Sequence, residues 1–390
     1  METYSFDKII DRQGTSAYKY VLLDPVFGRS DVLPLWVADM DFATPPFILN
    51  AIRNRLDREI LGYTLPPKEY YNAIQNWLGY KYSWHVKTEY IEYLGGVVPG
   101  IAYAVQAFSQ EGEGVMIQTP VYYPFIDVPT VNNRHLINVP LILKEGRYVM
   151  DFDNIKKHIS KVKIFILCNP HNPGGVVWSK EELEQLNQIC IENNVLVVSD
   201  EIHAEMALWN KKHIPFASIS ESAAQNSVTL MSPSKTFNMA GIVSSYSIIP
   251  NAKLRKKFAF QIEKNHARMG NLFAYGTTIA AYEQGKDWLK ELTAYLEESI
   301  LFVKDFCKKN MPQIKVMVPE ASFLVWLDCR DLGMNGDQLK RFMVDKAKVA
   351  MNNGSMFGEG GEGFQRLNVG TPRSILVEAL NQIKKAINSL

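Results

Sequence analysis

Short β-branched segments alternate with longer amphipathic segments between about residues 45 and 290, and this alternation constrains the fold most strongly. Residues 179–194 form one of the helical patterns, which begins with Ser179 and Glu182, the two members of a capping box. Repeated strand–helix–strand order predicts an α/β fold in which a mostly parallel sheet carries helices on both faces. The predicted strands are residues 115–120, 135–143, 163–170, 194–201, 227–233 and 244–250.

The C-terminal part of the chain follows a different pattern. A long amphipathic helix is predicted at about residues 286–310, and two strand-like segments follow within residues 315–330. Helices and strands that are separated in this way indicate a smaller α+β domain. We therefore expect a large domain at residues 46–286 and a small domain composed of residues 1–45 and 287–390.

The composition is that of an ordinary folded protein. Apolar residues make up 47% of the 390 residues and charged residues 21%, which excludes a disordered or collagen-like chain. Lys and Arg total 42 while Asp and Glu total 41, so no long-range field attracts nucleic acid or an acidic membrane. A small molecule is therefore the expected partner, with no nucleic acid and no membrane.

The N-terminal segment and the cysteines predict a cytoplasmic location. The first residues are polar and resemble no signal peptide, and no stretch approaches the roughly 18 apolar residues of a spanning helix. The histidines lack metal-ligand spacing, so no metal site is expected. Reduced thiols are expected of the four cysteines, which lie far apart at Cys168, Cys190, Cys307 and Cys329.

Polar motifs follow three of the predicted strands. They are NPHNPGG (169–175), SDEIH (199–203) and SPSKTFN (232–238). Ligands of open parallel sheets bind outside the carboxyl ends of the strands, which favours a shared site. The glycine-rich segment LGGVVPGIAYAV (94–105) opens a helix and offers backbone N–H groups to a phosphate. Each motif alone is more often a turn, a solvated loop or tight packing, so the prediction depends on the set.

The set meets the chemical requirements of pyridoxal 5′-phosphate. Lys235, if buried among small residues, can have a lowered pKa and attach the cofactor covalently. Asp200 can hold a protonated ring nitrogen, which keeps the ring an electron acceptor, and Asn172 can donate to a phenolic oxygen. The phosphate can be held by two hydroxyls and two backbone amides, those of Ser232, Ser234, Val97 and Val98.

The order and spacing of these residues, followed by RLNVGTPR (366–373), resembles the aspartate-aminotransferase superfamily of pyridoxal 5′-phosphate enzymes. Further segments resemble its cystathionine β-lyase branch, which includes bacterial C–S lyases related to a modulator of the maltose regulon. The resemblance covers the chain from about residue 31 onwards and implies an aspartate-aminotransferase-like large domain. The segments are PLWVADMDF (34–42), LGYT (61–64), GGVVPGI, PVYYPF, SDEIHAE and SPSKTFN.

The resemblance implies a role for each matching residue. Lys235 is the catalytic residue, which carries the cofactor and then moves the Cα proton of the substrate. Asp200 faces the pyridine nitrogen, and Asn172 faces the phenolic oxygen. Tyr122 stacks on the ring, and Tyr63 reaches the phosphate in the neighbouring subunit, so a homodimer with shared active sites is expected.

The substrate contacts and two departures also follow from the resemblance. Arg373 is expected to bind the α-carboxylate, with Val37 and Tyr122 beside the substrate, whereas Arg366 in the same motif is expected to be structural. His203, a cofactor contact, replaces a tyrosine of the wider superfamily. A valine at 243 replaces an arginine that neutralises the cofactor phosphate, and the lyase branch shares both departures.

The implied reaction is C–S β-elimination, in which L-cystathionine or a related cysteine S-conjugate yields a thiol, pyruvate and ammonia. Two alternatives remain open: an aminotransferase of amino acids, and an enzyme with an added regulatory role through a protein partner. A separate segment, FGEGGEGF (357–364), resembles a nucleotide-binding loop by its glycines alone. Its glutamates would repel a phosphate, so a flexible loop near the substrate entrance is expected.

Overall fold

The structure is a computed structural model that describes residues 4–390 of the chain. In chain order the strands are β1 (Leu33–Pro34), β2 (Ile91–Leu94), β3 (Gly114–Ile117), β4 (His135–Asn138), β5 (Ile142–Lys144), β6 (Arg147–Val149), β7 (Val162–Cys168), β8 (Leu196–Asp200), β9 (Ser227–Met231), β10 (Ser245–Ile248), β11 (Lys315–Met317), β12 (Leu324–Asp328), β13 (Val349–Ala350), β14 (Asn352–Asn353) and β15 (Phe364–Asn368). The α-helices are α1 (Tyr18–Val21), α2 (Leu23–Phe27), α3 (Pro46–Leu56), α4 (Lys68–Tyr82), α5 (Val97–Phe108), α6 (Pro124–Val131), α7 (Phe152–His158), α8 (Lys180–Glu192), α9 (Glu221–Gln225), α10 (Ala252–Lys264), α11 (Leu272–Gln284), α12 (Lys286–Asn310), α13 (Gly336–Arg341) and α14 (Arg373–Ile387).

A seven-stranded sheet forms the centre of the molecule, in the order β2-β10-β9-β8-β7-β3-β4. The strands from β9 to β4 are parallel to their neighbours, whereas β10 is antiparallel to both β9 and β2. This confirms the predicted α/β fold with a mostly parallel sheet. The double reversal makes β2 parallel to β9, so β2 ends at the same edge as β7, β8 and β9.

Helices cover both faces of this sheet because successive strand residues point to opposite sides. Ile164 and Ile166 of β7 pack with Ile101 of α5 in one buried cluster. Phe165, which lies between them, packs with Leu186 of α8 in another cluster. The strands are therefore apolar on both faces, as their β-branched sequences predicted. Helix α8 begins after Ser179 with the predicted capping box.

The C-terminal part contains a separate antiparallel sheet in the order β11-β12-β15-β14. Helix α12 has the predicted bounds of 286 and 310. The N-terminal segment joins this part, since β1 pairs with β13 through Leu33 and Val349. The domain boundaries 46–286 and 1–45 with 287–390 are not decided by these contacts and stay a prediction.

The segment at residues 357–364 is packed rather than loose. Phe357 is fully buried, and its carbonyl accepts a hydrogen bond from the Val121 amide at 2.8 Å. The Tyr148 hydroxyl donates to the Gly360 carbonyl at 3.4 Å, and the Glu362 carboxylate accepts from a backbone amide of α13. The expectation of a flexible loop is therefore corrected, because contacts with Val121, Tyr148 and α13 hold the segment in place.

A membrane span, a metal site and a disulfide each place requirements on the described residues. Among residues 4–390, no helix combines the length and the apolar character that crossing a bilayer requires. The same residues contain no group of three or more His, Cys, Asp or Glu side chains arranged for a metal ion. All four cysteines are free and buried, and burial raises the pKa of Cys190 and Cys307 to about 12.

Candidate active site

A cavity of about 250 Å³ lies where β7, β8 and β9 end and where α5 begins. The neighbouring parallel strands bring their following residues to one edge of the sheet, as the sequence predicted. Eight of the predicted site residues line this cavity: Val97, Val98, Tyr122, Asn172, Asp200, His203, Ser234 and Lys235.

Lys235 follows β9, and its amine is directed towards the N-terminal segment. Its Nζ donates a hydrogen bond to the Ala38 carbonyl at 2.7 Å. Burial lowers the pKa of Lys235 to about 8, although the carboxylate of Asp39 opposes this effect. A substantial fraction of the amine is therefore neutral near physiological pH, which allows it to act as a nucleophile and as a base.

Asp200 is the last residue of β8 and is almost fully buried. Its Oδ1 accepts a hydrogen bond from the Ile202 amide at 3.1 Å, and its Oδ2 has no hydrogen bond within the described residues. Burial raises the pKa of Asp200 to about 7, and the charge of Glu201 acts in the same direction. A protonated ring nitrogen against Oδ2 would hold this carboxyl group in its charged form.

Asn172 lines the cavity and forms a buried pair with Arg366. Arg366 Nη1 donates to Asn172 Oδ1 at 3.0 Å, so the Asn172 NH₂ group is left to donate to a ligand. Arg366 Nη2 donates to the Trp36 carbonyl at 3.1 Å and to Asn352 Oδ1 at 2.6 Å. The guanidinium is therefore held by neutral acceptors only.

The charge of Arg366 is not balanced by the protein. Burial lowers the pKa of Arg366 to about 10, so it remains a cation at neutral pH, and it forms no ion pair within residues 4–390. Such a group requires an anionic ligand, and a carboxylate matches the planar fork of the guanidinium. Arg366, which the sequence interpretation had treated as structural, thus belongs to the site.

Arg373 does not reach this cavity, which corrects its predicted role as the carboxylate-binding residue. It is the first residue of α14, and its guanidinium packs on Phe302 and donates to Ser299 Oγ at 3.2 Å. Both partners belong to α12. Arg373 therefore joins α12 and α14, and Arg366 is the arginine of RLNVGTPR that is hydrogen-bonded to a residue lining the cavity.

The beginning of α5 offers unsatisfied backbone donors. Its cap residue, Gly96, provides no side-chain hydrogen bond, so the first amides, including those of Val97 and Val98, remain available to an anion. Ser232 Oγ donates to the Ser244 carbonyl at 2.6 Å and lies 2.7 Å from Ser234 Oγ, whose residue lines the cavity. Ser232 itself lies behind Ser234, so its predicted contact with the cofactor is indirect.

Two further predicted residues, Tyr63 and Val37, do not line the cavity. Tyr63 is 97% exposed and belongs to an extended surface segment, which leaves it available to a second subunit. Val37, predicted to lie beside the substrate, does not line the cavity, and its carbonyl accepts from Asn368 Nδ2 at 2.7 Å. His203 does line the cavity, and burial lowers its pKa to about 3, so it is a neutral ring there.

Sequence reasoning missed how the N-terminal segment closes the site. The carbonyls of Trp36, Val37 and Ala38 accept from Arg366, Asn368 and Lys235 respectively. A signal was present, because residues 366 and 368 of one strand share a face and Arg373 does not belong to that strand. The motif alone did not show that this face is turned towards residues 36–38, because that depends on how the strand pairs.

The residues of the cavity fit pyridoxal 5′-phosphate. A buried carboxyl group with a free oxygen suits the pyridine nitrogen, and a free amide NH₂ suits the phenolic oxygen. The uncapped end of α5 suits the phosphate, and a lysine with a lowered pKa suits the aldehyde. Each functional group of the cofactor thus has a complementary group in the structure.

Comparisons with known proteins agree with this chemistry. Residues 30–383 match the aminotransferase class I and II family. The chain is 42% identical to cystathionine β-lyase PatB of Bacillus subtilis strain 168, over 98% of this chain and 100% of that protein. It is 34% identical to the structure of cystalysin from Treponema denticola, which contains a pyridoxal 5′-phosphate cofactor, with a TM-score of 0.96 over 99% of both chains. The cofactor-bound C–S lyase from Staphylococcus hominis is 35% identical, with a TM-score of 0.92 over 98% of both chains.

Proposed function

The chain belongs to the aminotransferase class I and II family, and on this premise we propose that it is a pyridoxal 5′-phosphate-dependent C–S β-lyase acting on L-cystathionine or a related cysteine S-conjugate. The observation that carries the proposal is the cavity that Lys235, Asp200 and Asn172 line together, with the unpaired Arg366 hydrogen-bonded to Asn172. The full-length similarity to a cystathionine β-lyase and to C–S lyase structures supports elimination over amino transfer.

The cofactor would be held at each of its polar groups. Lys235 would attach it covalently, and Asp200 would pair with its ring nitrogen. The Asn172 NH₂ group would donate to its phenolic oxygen, while the amides of α5 and the hydroxyl of Ser234 would bind its phosphate. Tyr122 lines the same cavity and would cover the ring. The bound cofactor supplies an acceptor for the electron pair that remains when the substrate Cα loses its proton.

Two side chains provide the substrate binding and the proton transfer that elimination requires. Arg366 binds and orients the α-carboxylate of the substrate through its charge and the N–H groups that Asn172, Trp36 and Asn352 leave free. Lys235, once free and neutral, accepts the Cα proton at Nζ, and the lowered pKa suits this task near neutral pH. The Cβ–S bond breaks, and the sulfur leaves with its electron pair as a thiolate. Water then converts the remaining three-carbon fragment to pyruvate and ammonia.

A homodimer with shared active sites is part of the proposal. Residues 57–67 lack regular structure and expose large apolar side chains, with Ile60 at 76%, Tyr63 at 97% and Leu65 at 77%. Such exposure is typical of a surface covered by another subunit. The segment would deliver Tyr63 to the cofactor phosphate of the neighbouring subunit. The four free thiols support a cytoplasmic location for this assembly.

The experiment that tests the function is the release of pyruvate from L-cystathionine by the cofactor-loaded enzyme, without any added 2-oxo acid. Sustained turnover is expected, and Lys235→Ala should abolish it. A single burst that resumes only when a 2-oxo acid is supplied would identify an aminotransferase instead. The family and the cofactor would stand in that case, whereas the proposed reaction would not.

A further inference from the structure

A second cavity, of about 520 Å³, lies between the end of α4 and residues 207–218. Three lysines and one histidine line it, and no Asp or Glu of the described chain is among its lining residues. It shares no lining residue with the active-site cavity. We call it the basic cavity, and nothing in the proposed reaction uses it.

The positive charge of the basic cavity is only partly compensated. Lys81 is half-buried, and it forms no ion pair within the part of the chain that the structure describes. The nearest opposing carboxyl group, Glu205, is already bonded to Thr236 and Tyr282. Lys212 is exposed and also unpaired, whereas Lys211 forms an ion pair with Glu320 at 2.7 Å. A half-buried cation without a partner favours the binding of an anion.

Two polar atoms in the wall of the cavity also lack partners. Tyr82 Oη and His213 Nδ1 are buried, and neither has a hydrogen bond within residues 4–390. His213 is 5% exposed, and its Nε2 lies 2.7 Å from Glu201 Oε2, which fixes the orientation of the ring. Buried polar groups are normally hydrogen-bonded, so these two atoms indicate a bound polar ligand.

We propose that the basic cavity binds a small phosphate-bearing anion. Lysines bind phosphate as point charges from several directions, whereas carboxylates favour the planar fork of arginine, and no arginine lines the cavity. Lys81 and Lys212 supply the charge, and the Tyr82 hydroxyl supplies a hydrogen bond. The volume accommodates a small organic phosphate as well as the free ion. The proposal does not depend on the reaction that the active site performs.

Calorimetric titration of the cofactor-loaded protein tests the proposal, because the cofactor then fills the other phosphate site. Inorganic phosphate and glycerol phosphate are titrated separately, against sodium chloride at matched ionic strength. Saturable binding with one site per chain is expected. Tighter binding of the ester would identify an organic phosphate as the ligand, and binding of inorganic phosphate alone would identify the free ion. Absence of saturable binding with both probes would overturn the proposal.

Variants locate the bound anion. The double variant Lys81→Met with Lys212→Met should raise the dissociation constant at least tenfold, while Lys256→Met, an exposed and unpaired lysine on α10, should leave it unchanged. Tyr82→Phe should weaken binding several-fold without lowering the melting temperature of the phosphate-free protein, because its hydroxyl has no protein partner to lose. Unchanged affinity in both the double lysine variant and Tyr82→Phe would place the phosphate elsewhere and refute the site.

Discussion

Replacing Lys235 by methionine should stabilise the cofactor-free protein, although it removes the residue on which the proposed reaction depends. Burial lowers the pKa of Lys235 from 10.5 to about 8. Each pKa unit corresponds to about 1.4 kcal/mol, so the charged amine costs the folded state about 3 kcal/mol at neutral pH. Methionine has a similar length and no charge, and it loses only the hydrogen bond to Ala38, worth about 1 kcal/mol. The expected gain is therefore about 2 kcal/mol.

The gain should depend on pH in a defined direction. The folded-state pKa of Lys235 lies below its unfolded value, so the unfolded chain binds more protons between about pH 8 and pH 10.5. Below pH 8 the burial of the charged amine consequently lowers the free energy of unfolding of the wild-type protein by its full amount. This free energy then rises as the pH increases towards 10.5. The free-energy difference between the variant and the wild type should fall by more than half between pH 7 and pH 9.5. Urea unfolding of both cofactor-free proteins at equal concentration measures it.

Lys19 provides a matched control with the opposite sign. It is fully buried like an apolar residue, but its Nζ lies 3.1 Å from Asp39 Oδ1 and 2.9 Å from Asp41 Oδ1. Lys19→Met leaves this carboxylate pair with Arg12 alone, so the free energy of unfolding should fall by about 3 kcal/mol. If Lys235→Met were no more stable than the wild type at pH 7, or if its gain persisted at pH 9.5, the burial argument would be refuted.

Three further predictions concern the active site. Arg366→Lys should raise the KM for the amino-acid substrate about 10- to 100-fold because lysine lacks the planar fork of the guanidinium, whereas Arg373→Lys should change the KM less than threefold. Steady-state pyruvate release compares the two variants, and equal effects would contradict the assignment of Arg366 as the carboxylate-binding residue. Asp200→Asn should lower kcat at least about 100-fold at saturating cofactor, since the charge opposite the ring nitrogen is lost. Val243, which has a φ of +58°, is strained for a β-branched residue, so Val243→Gly should raise the free energy of unfolding by about 0.5–1 kcal/mol in urea denaturation.

The local features of the fold were predictable from the sequence. Helix α8 has its capping box at Ser179 and Glu182, since both partners lie within four residues of each other. Strands β7, β8 and β9 were recognised by their β-branched residues, which suit a sheet that is buried on both faces. Because these parallel strands are neighbours, the rule for strand ends also brought Asn172, Asp200 and Lys235 into one cavity.

The long-range features could not be predicted in the same way. The choice between Arg366 and Arg373 depends on the pairing of β15 with β12 and on the position of residue 36, more than 300 residues earlier in the chain. The packing of residues 357–364 depends on contacts with Tyr148 and Val121, which a composition rich in glycine does not reveal. Spacing within a motif describes neighbours along the chain, and these contacts join neighbours in space.

The closure of the cavity by residues 36–38 has a consequence for the synthesis of the chain. The three carbonyls of that segment are among the first to leave the ribosome, and their partner Lys235 follows well before Arg366 and Asn368. A nascent chain therefore contains Lys235 before Arg366 and Asn368, so residues 36–38 can complete their three hydrogen bonds only after the last strand has been made.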